Sequence, residues 1–185
     1  MEASHAQDGG RVPPQDLEAE KSLLGAILLS DKSFPDILTI VQANDFYDPR
    51  HVDIFQGMTT LYNNHRPIDL MTLTAELKDK KQLKAIGGAP YLTELTNFVP
   101  TASHADAYAD IVAQAAIRRR LIDVGTEIAT AVYNNTGKIE ELVGEAEQKL
   151  FSVSNKTVKT DYSALGDLLV DAYDRIEELH RNKGA

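Results

Sequence analysis

Five histidines, His5, His51, His65, His104 and His180, carry the side chain that most often binds a metal or moves a proton near neutral pH. Their spacing suits neither use. No HExxH pair occurs, and no two histidines stand close enough to share one turn of a helix face. Cysteine is absent, which excludes a disulfide, a thiolate nucleophile and a cysteine-ligated zinc and fits a reducing compartment. The only Gly-Lys pair is Gly137-Lys138. A phosphate-binding loop of the GxxxxGK[ST] form would need glycine at Val132 and a hydroxyl at Ile139, after a strand rather than inside a helical hairpin. Gly87-Gly88 lacks the GxGxxG spacing and a preceding strand, so it reads as a helix break that allows close packing. Carboxylates are plentiful, and on solvated helix faces that is their ordinary condition. The expectation is a chain with no catalytic constellation, no metal site and no cofactor of its own.

Two basic clusters remain. Lys78, Lys80, Lys81 and Lys84 surround a turn, and Arg118, Arg119 and Arg120 stand in mid-helix. Lys78, Lys80, Lys81, Lys84 and Arg119 are the candidate contacts to single-stranded DNA. Against that use, 28 acidic residues outweigh 19 basic ones for a formal charge of -9, whereas a strong grip on phosphates needs a basic surface. Consecutive residues on a helix point about 100° apart, so the three arginines cannot form one flat phosphate-binding face. Arg118 lies beside an apolar seam, where its stem would cover apolar surface and its head pair with an acidic neighbour. Ion pairing is preferred over DNA contact.

The elements that position these groups are helical. No strict alternation runs over six residues, and no Asn-Gly or Asp-Gly hairpin signal appears. Residues 1–11 are small and polar and read as a tail. Pro13-Pro14 sets an entry point, and Asp16 caps a helix carrying Leu17, Leu24, Ala26, Ile27 and Leu28. Phe34, Ile37, Leu38 and Val41 mark a short second helix. Asp48-Pro49 opens a third, with Val52, Ile54, Phe55, Met58, Leu61 and Tyr62 at helical spacing. Asp69 caps a fourth with Leu70, Leu73 and Leu77. Pro90-Tyr91-Leu92 begins a fifth, which Pro100 stops. Residues 12–103 thus make a helical head in an all-α fold.

From about His104 to Tyr133 there is no proline and one glycine, Gly125, which predicts a helix of roughly 30 residues and about 45 Å. After a turn at Asn134-Asn135-Thr136-Gly137, Ile139, Leu142, Val143, Ala146, Leu150 and Phe151 predict a second helix from Lys138 to about Ser154. Residues 104–154 therefore read as a long antiparallel helical hairpin. The long helix carries two seams. Tyr108, Ile111, Val112, Ala115, Ile122, Ala129 and Val132 form one, and Ile117, Leu121, Val124, Ile128 and Ala131 the other. One partner helix covers a stripe of about 100°. The surplus seam must face the head or another molecule, and a projecting hairpin favours another molecule. Residues 155–162 read as a linker. A last helix, 163–182, carries Leu165, Leu168, Leu169, Ala172, Tyr173, Ile176 and Leu179 on a narrow seam. Behind a linker such a helix is marginal by itself, so docking is expected. No run approaches the roughly 18 apolar residues of a membrane span. No signal peptide is visible, and a cytoplasmic location is expected.

Pro13-Pro14-Gln15, Glu18-Ala19-Glu20 and Leu24-Gly25-Ala26-Ile27-Leu28 together resemble the opening of bacterial replicative DNA helicases of the DnaB family. The resemblance continues through Asp45-Phe46-Tyr47, His51, Ile54-Phe55, Met58, Pro67-Ile68-Asp69-Leu70, Leu73-Thr74, Ile86-Gly87-Gly88 with Tyr91-Leu92, Val99-Pro100-Thr101-Ala102, Arg119-Arg120-Leu121-Ile122 and the Tyr173 to His180 segment. It covers residues 12 to 182 in order. It implies an N-terminal domain plus linker helix, with the RecA-like ATPase domain absent and ATP and Mg belonging to that motor. The parent would be a hexameric, ATP-dependent 5′-to-3′ helicase. Its N-terminal domains would form a collar, a trimer of dimers around single-stranded DNA that binds the primase C-terminal domain, with a helicase loader as a further candidate partner. Under that resemblance, Tyr91, Ile122 and Ile128 are the candidate primase surface. Tyr108, Ile111, Val112, Ala115, Ile117, Leu121 and Val124 are the subunit-interface residues of the hairpin. The seam of the last helix would dock on the neighbouring motor. Direct binding of single-stranded DNA is the alternative role.

Overall fold

Aspartate and proline set where the helices of the head begin. A computed structural model describes residues 12–99, 101–134 and 138–157. Helix α1, Leu17–Leu29, starts at Asp16, whose carboxylate accepts the Ala19 amide at 2.9 Å. Helix α2 spans Phe34–Ile40 with proline in its first turn. Helix α3, Pro49–Asn63, starts at Asp48, which accepts the Arg50 amide at 2.9 Å, and Pro49 takes the position whose N–H would be orphaned anyway. Helix α4, Leu70–Asp79, is closed by a reciprocal cap. Asp69 accepts the Met71 and Thr72 amides, and the Thr72 hydroxyl accepts the Asp69 amide at 3.0 Å. Helix α5 is Gly88–Phe98, α6 Ala105–Asn134 and α7 Ile139–Thr157. Among the described residues there is no strand, so the fold is all-α as the helical period predicts.

Two helix ends differ from expectation. Helix α5 begins at Gly88, ahead of Pro90, because Gly87 and Gly88 adopt left-handed backbone (φ +101° and +77°) and leave Pro90 in the first turn, where it costs no hydrogen bond. Helix α7 continues past Ser154 to Thr157, since no proline or glycine interrupts it there. The expected tail 1–11, most of the 155–162 linker, the 135–137 turn and the whole 163–182 helix lie outside the described residues. So do Leu165, Leu168, Leu169, Ala172, Tyr173, Ile176 and Leu179.

The core of the head is built from Leu23, Leu24 and Ile27 of α1, Phe34 and Ile37 of α2, Ile54, Phe55, Met58 and Leu61 of α3, Leu73 and Leu77 of α4, and Leu92 and Leu95 of α5. Helices α1 and α5 approach closely at Gly25. A Cβ there would overlap the Leu95 carbonyl oxygen and stand 2.9 Å from Val99 Cγ2. The described chain divides into two units between Ala129 and Thr130, inside α6. In the first unit, Ala105, Ala109 and Val112 of α6 belong to the head core, and Ala115 and Ala116 are also buried. The head therefore does not end at 103. The start of α6 is rich in alanine, whose short side chain lets a backbone approach closely, and the head takes it in. Val112 and Ala115 are accordingly corrected from subunit-interface residues to residues this chain buries itself. From Ile117 to Asn134 no residue is buried. In the second unit, Ile139, Val143, Leu150 and Phe151 are exposed and Leu142 and Ala146 half-buried.

Candidate functional site

Polar groups converge where α1, α3 and α5 meet. His51 is fully buried in the first turn of α3. Its Nδ1 lies 2.6 Å from Glu20 Oε2 and its Nε2 lies 2.8 Å from the Tyr91 hydroxyl. Glu20 is 1% exposed, and its carboxylate also accepts the backbone amides of Tyr47 at 2.6 Å and Asp48 at 3.3 Å. The Glu20 carboxylate can only accept, so Nδ1 donates to it, and in the neutral imidazole that leaves Nε2 to accept from the Tyr91 hydroxyl. Arg50 covers the Tyr91 ring, its guanidinium carbon 4.5 Å from the centroid, and donates to Asp48 through Nη2 at 2.6 Å and Nε at 3.1 Å. That side-chain bond is the main reason the Asp48 carboxyl titrates below the usual aspartate range and the Arg50 guanidinium above its ordinary value. Burial, foremost, pushes the Tyr91 phenol up.

A carboxylate–imidazole–phenol chain serves proton transfer when its last group faces a substrate. Here every group named meets another group of the same chain, so the arrangement works as a pin between three helices. Tyr91 is therefore corrected as a primase anchor. It is 7% exposed, with its hydroxyl turned to His51 and its ring beneath Arg50. Glu20 and His51 carried a signal that the view of carboxylates as solvated overlooked. Glu20, Leu23, Leu24 and Ile27 recur at the i, i+3, i+4, i+7 spacing of a core-facing stripe, as do His51, Ile54, Phe55 and Met58. A polar residue on such a stripe must be buried with partners.

A second cluster surrounds Asp45, 5% exposed in the turn before Phe46. Its carboxylate accepts the Gln42 amide at 2.7 Å and pairs with Arg120. Arg119 donates to the Pro14 carbonyl at 2.7 Å and the Asp45 carbonyl at 2.5 Å and lies over the Tyr47 ring. Arg119 is thus engaged inside its own chain, which corrects it as a DNA contact. The expected ion pairing of the arginine run falls on Arg120, while Arg118 is exposed. Lys78, Lys80, Lys81 and Lys84 are exposed at the end of α4 and the turn after it. Lys80 is committed to Glu76 at 3.3 Å and the Thr60 hydroxyl at 2.7 Å.

Of the remaining seam residues, Tyr108 packs half-buried against the core, Ile111, Leu121 and Ile122 are exposed, and Ile117, Val124 and Ile128 are half-buried. Among the described residues no group of histidine, aspartate and glutamate could hold a metal ion, and no helix is long and apolar enough to cross a membrane.

A family model described as the DnaB-like helicase N terminal domain matches residues 12–114. The chain belongs to this DnaB-like family. It is similar to the replicative DNA helicase DnaC of Bacillus subtilis (strain 168), at 38% identity, and to the replicative DNA helicase DnaB of Geobacillus stearothermophilus, at 40%, each over 174 residues and 94% of the chain. The chain spans 38% of the length of these curated relatives. The crystal structure of the N-terminal domain of DnaB helicase from Mycobacterium tuberculosis is 40% identical, with a TM-score of 0.72, over 76% of this chain and 99% of that one. A DnaB-like replicative helicase whose structure was described with its interactions with primase shares the fold at a TM-score of 0.64 and 23% identity, over 88% of this chain and 35% of that one. The all-helical DnaB-like fold is the one the sequence resemblance implies.

Proposed function

We propose that this chain is an assembly and docking module of a replicative DNA helicase. It organises a hexameric collar through its helical hairpin and receives the C-terminal domain of primase. Unwinding, with its ATP and Mg, belongs to the further length that the relatives possess. The segment of residues 163–182 docks on the neighbouring subunit's motor, and the assembly works at the replication fork in the cytoplasm. A helicase loader is a further partner. The observation that carries this reading is the exposure of Leu121 and Ile122 (47% and 54%) on a helix whose earlier turns are sealed into the head. Aliphatic anchors beside exposed Asp123 and Glu127 match the apolar centre and charged rim of a protein interface. Direct grip on single-stranded DNA is the weaker alternative, because Arg119 and Lys80 are engaged internally and the net charge is -9.

Sedimentation of the chain alone and with a primase C-terminal domain tests the proposal. The expected result is a complex whose affinity falls about 30-fold in Ile122→Asp, the size of a hot spot of roughly 2 kcal/mol. Ile128→Asp, at a half-buried position, tests the other edge of the same surface. A folded Ile122→Asp and a folded Ile128→Asp that both bind primase like the parent would overturn the assignment. A salt-titrated DNA-binding assay is expected to give millimolar or undetectable affinity at physiological salt.

A further inference from the structure

The part of α6 that docks on the head does so through a thin face. Ala105, Ala109, Ala115 and Ala116 are four of its five buried residues, with Val112 between them. Methyl groups allow close approach but interdigitate little. A ridge of alanines therefore holds a helix near a surface without strongly fixing its axial rotation or its angle. The last buried residue is Ala116, yet the helix continues unbroken to Asn134. A small change of angle at the end of the docked part becomes a large displacement further along, since each residue adds about 1.5 Å of rise.

At that point the helix carries Arg119 and Arg120, and both reach Asp45. Arg119 takes the backbone carbonyl of Asp45 and the Pro14 carbonyl, while Arg120 takes the Asp45 carboxylate. Asp45 cannot follow a moving helix, because its other carboxylate oxygen accepts the Gln42 amide and the next residue, Phe46, packs in the core. Pro14 is held in turn by the start of α1, where Asp16 caps Ala19. Two neighbouring arginines thus tie one helix to two separate backbone segments, and charge-assisted bonds with defined angles restrain direction in a way that alanine contacts do not.

We infer that Arg119 and Arg120, closing on Asp45 and Pro14, form a clasp that fixes the direction in which α6 leaves the head. The clasp is a property of this chain alone and stands whether or not primase binds. Its loss frees the outer part of α6 to swing while the head core stays closed.

The absence of cysteine allows the test in the full chain, because every label site can be introduced cleanly. Spin labels at Ala75→Cys on α4 and Gly125→Cys on α6 report the angle. Both positions are exposed, and Gly125 has open space around it. Labels at Ala75→Cys and Thr93→Cys, exposed positions on α4 and α5, report the head alone. Samples are diluted with unlabelled chain so that only distances within one molecule are read. In Arg119→Gln and in Asp45→Asn, the width of the 75–125 distance distribution is expected to at least double, while the 75–93 distribution stays as narrow as in the parent. A 75–125 distribution unchanged in both variants overturns the clasp. So does equal broadening of the 75–93 pair, which would make these residues general supports of the head.

Discussion

Replacing Glu20 with glutamine changes shape very little and donor–acceptor balance a great deal. The carboxylate receives three N–H groups, from Tyr47, Asp48 and His51 Nδ1. An amide offers a single oxygen and turns an NH2 toward whatever stands opposite it. If the oxygen serves Tyr47, the new donor faces His51 and Asp48. The imidazole can answer by moving its proton to Nε2, so that Nδ1 accepts from the glutamine and Nε2 donates to the Tyr91 oxygen. The phenol hydrogen then loses its acceptor in a buried site, and the Asp48 amide faces a donor. An unmet buried donor costs about 1–3 kcal/mol, and the long 3.3 Å bond to Asp48 counts at the low end, so the total is about 3 kcal/mol. For a chain of this size that lowers Tm by about 6–12 °C. Thermal and urea unfolding of the parent, Glu20→Gln, Tyr91→Phe and the double variant would measure it. Tyr91→Phe alone should cost about 1–2 kcal/mol, and the double variant should depart from additivity by more than about 0.5 kcal/mol, since both changes act on one imidazole. Glu20→Gln within about 0.5 kcal/mol of the parent, or strict additivity, would refute the view that these groups work as one unit.

Gly25→Ala should cost about 3 kcal/mol in urea unfolding, because the obstacle is the Leu95 carbonyl and backbone cannot step aside. Gly57→Ala should cost only about 1 kcal/mol, since its neighbours are the side chains of Leu73 and Leu77, which can turn. His65 and Lys81 take left-handed backbone (φ 54° and 59°) just past α3 and α4, so His65→Gly and Lys81→Gly should each raise stability by about 1 kcal/mol in the same assay. The Asp48 and Asp69 carboxyls titrate below the ordinary 3.8 in the folded chain, Asp48 chiefly through the Arg50 side chain and Asp69 chiefly through the Thr72 amide. Their contribution is therefore complete above the unfolded value and is lost as pH falls through the folded one. Tm measured from pH 5 to pH 2 should fall less steeply in Asp48→Asn and Asp69→Asn than in the parent.

Helix starts were legible because their causes are local. Asp16, Asp48 and Asp69 are each followed at once by the amides they cap, and Pro49 selects the first helical position without help from the rest of the chain. The core of α3 and α4 was legible for a similar reason, since periodicity is a property of one segment. The pin was not, because its members stand 31 and 40 residues apart and meet only when three helices pack. Tyr91 shows the same limit from the other side. A tyrosine at a glycine break reads as an exposed anchor until the partner for its hydroxyl is known. The docking of early α6 on the head was hidden by composition. Alanine scores weakly in any hydrophobic pattern, so Ala105, Ala109 and Ala116, which the head buries, stand on neither seam, while Val112 and Ala115 stand on a seam whose partner is the head itself.

The arginine run shows how a correct geometric premise can reach an incomplete conclusion. Neighbouring side chains about 100° apart cannot share a flat surface, and that disfavours a row of phosphates. It does not prevent them from closing on one residue, provided that residue offers acceptors on two sides. Asp45 does so, with its carbonyl toward Arg119 and its carboxylate toward Arg120. The divergence that argues against a DNA strip is what lets two adjacent guanidinium groups hold a single buried aspartate from different directions. A buried carboxylate with a charge partner and a backbone donor is stable only while both remain, so the aspartate and the arginines require one another. Removal of the Arg120 charge should thus be felt more strongly than removal of the exposed Arg118. Arg120→Gln is expected to lower urea stability by about 2 kcal/mol or more, and Arg118→Gln by less than about 0.5 kcal/mol. Equal effects in the two variants would show that Asp45 does not depend on the pair.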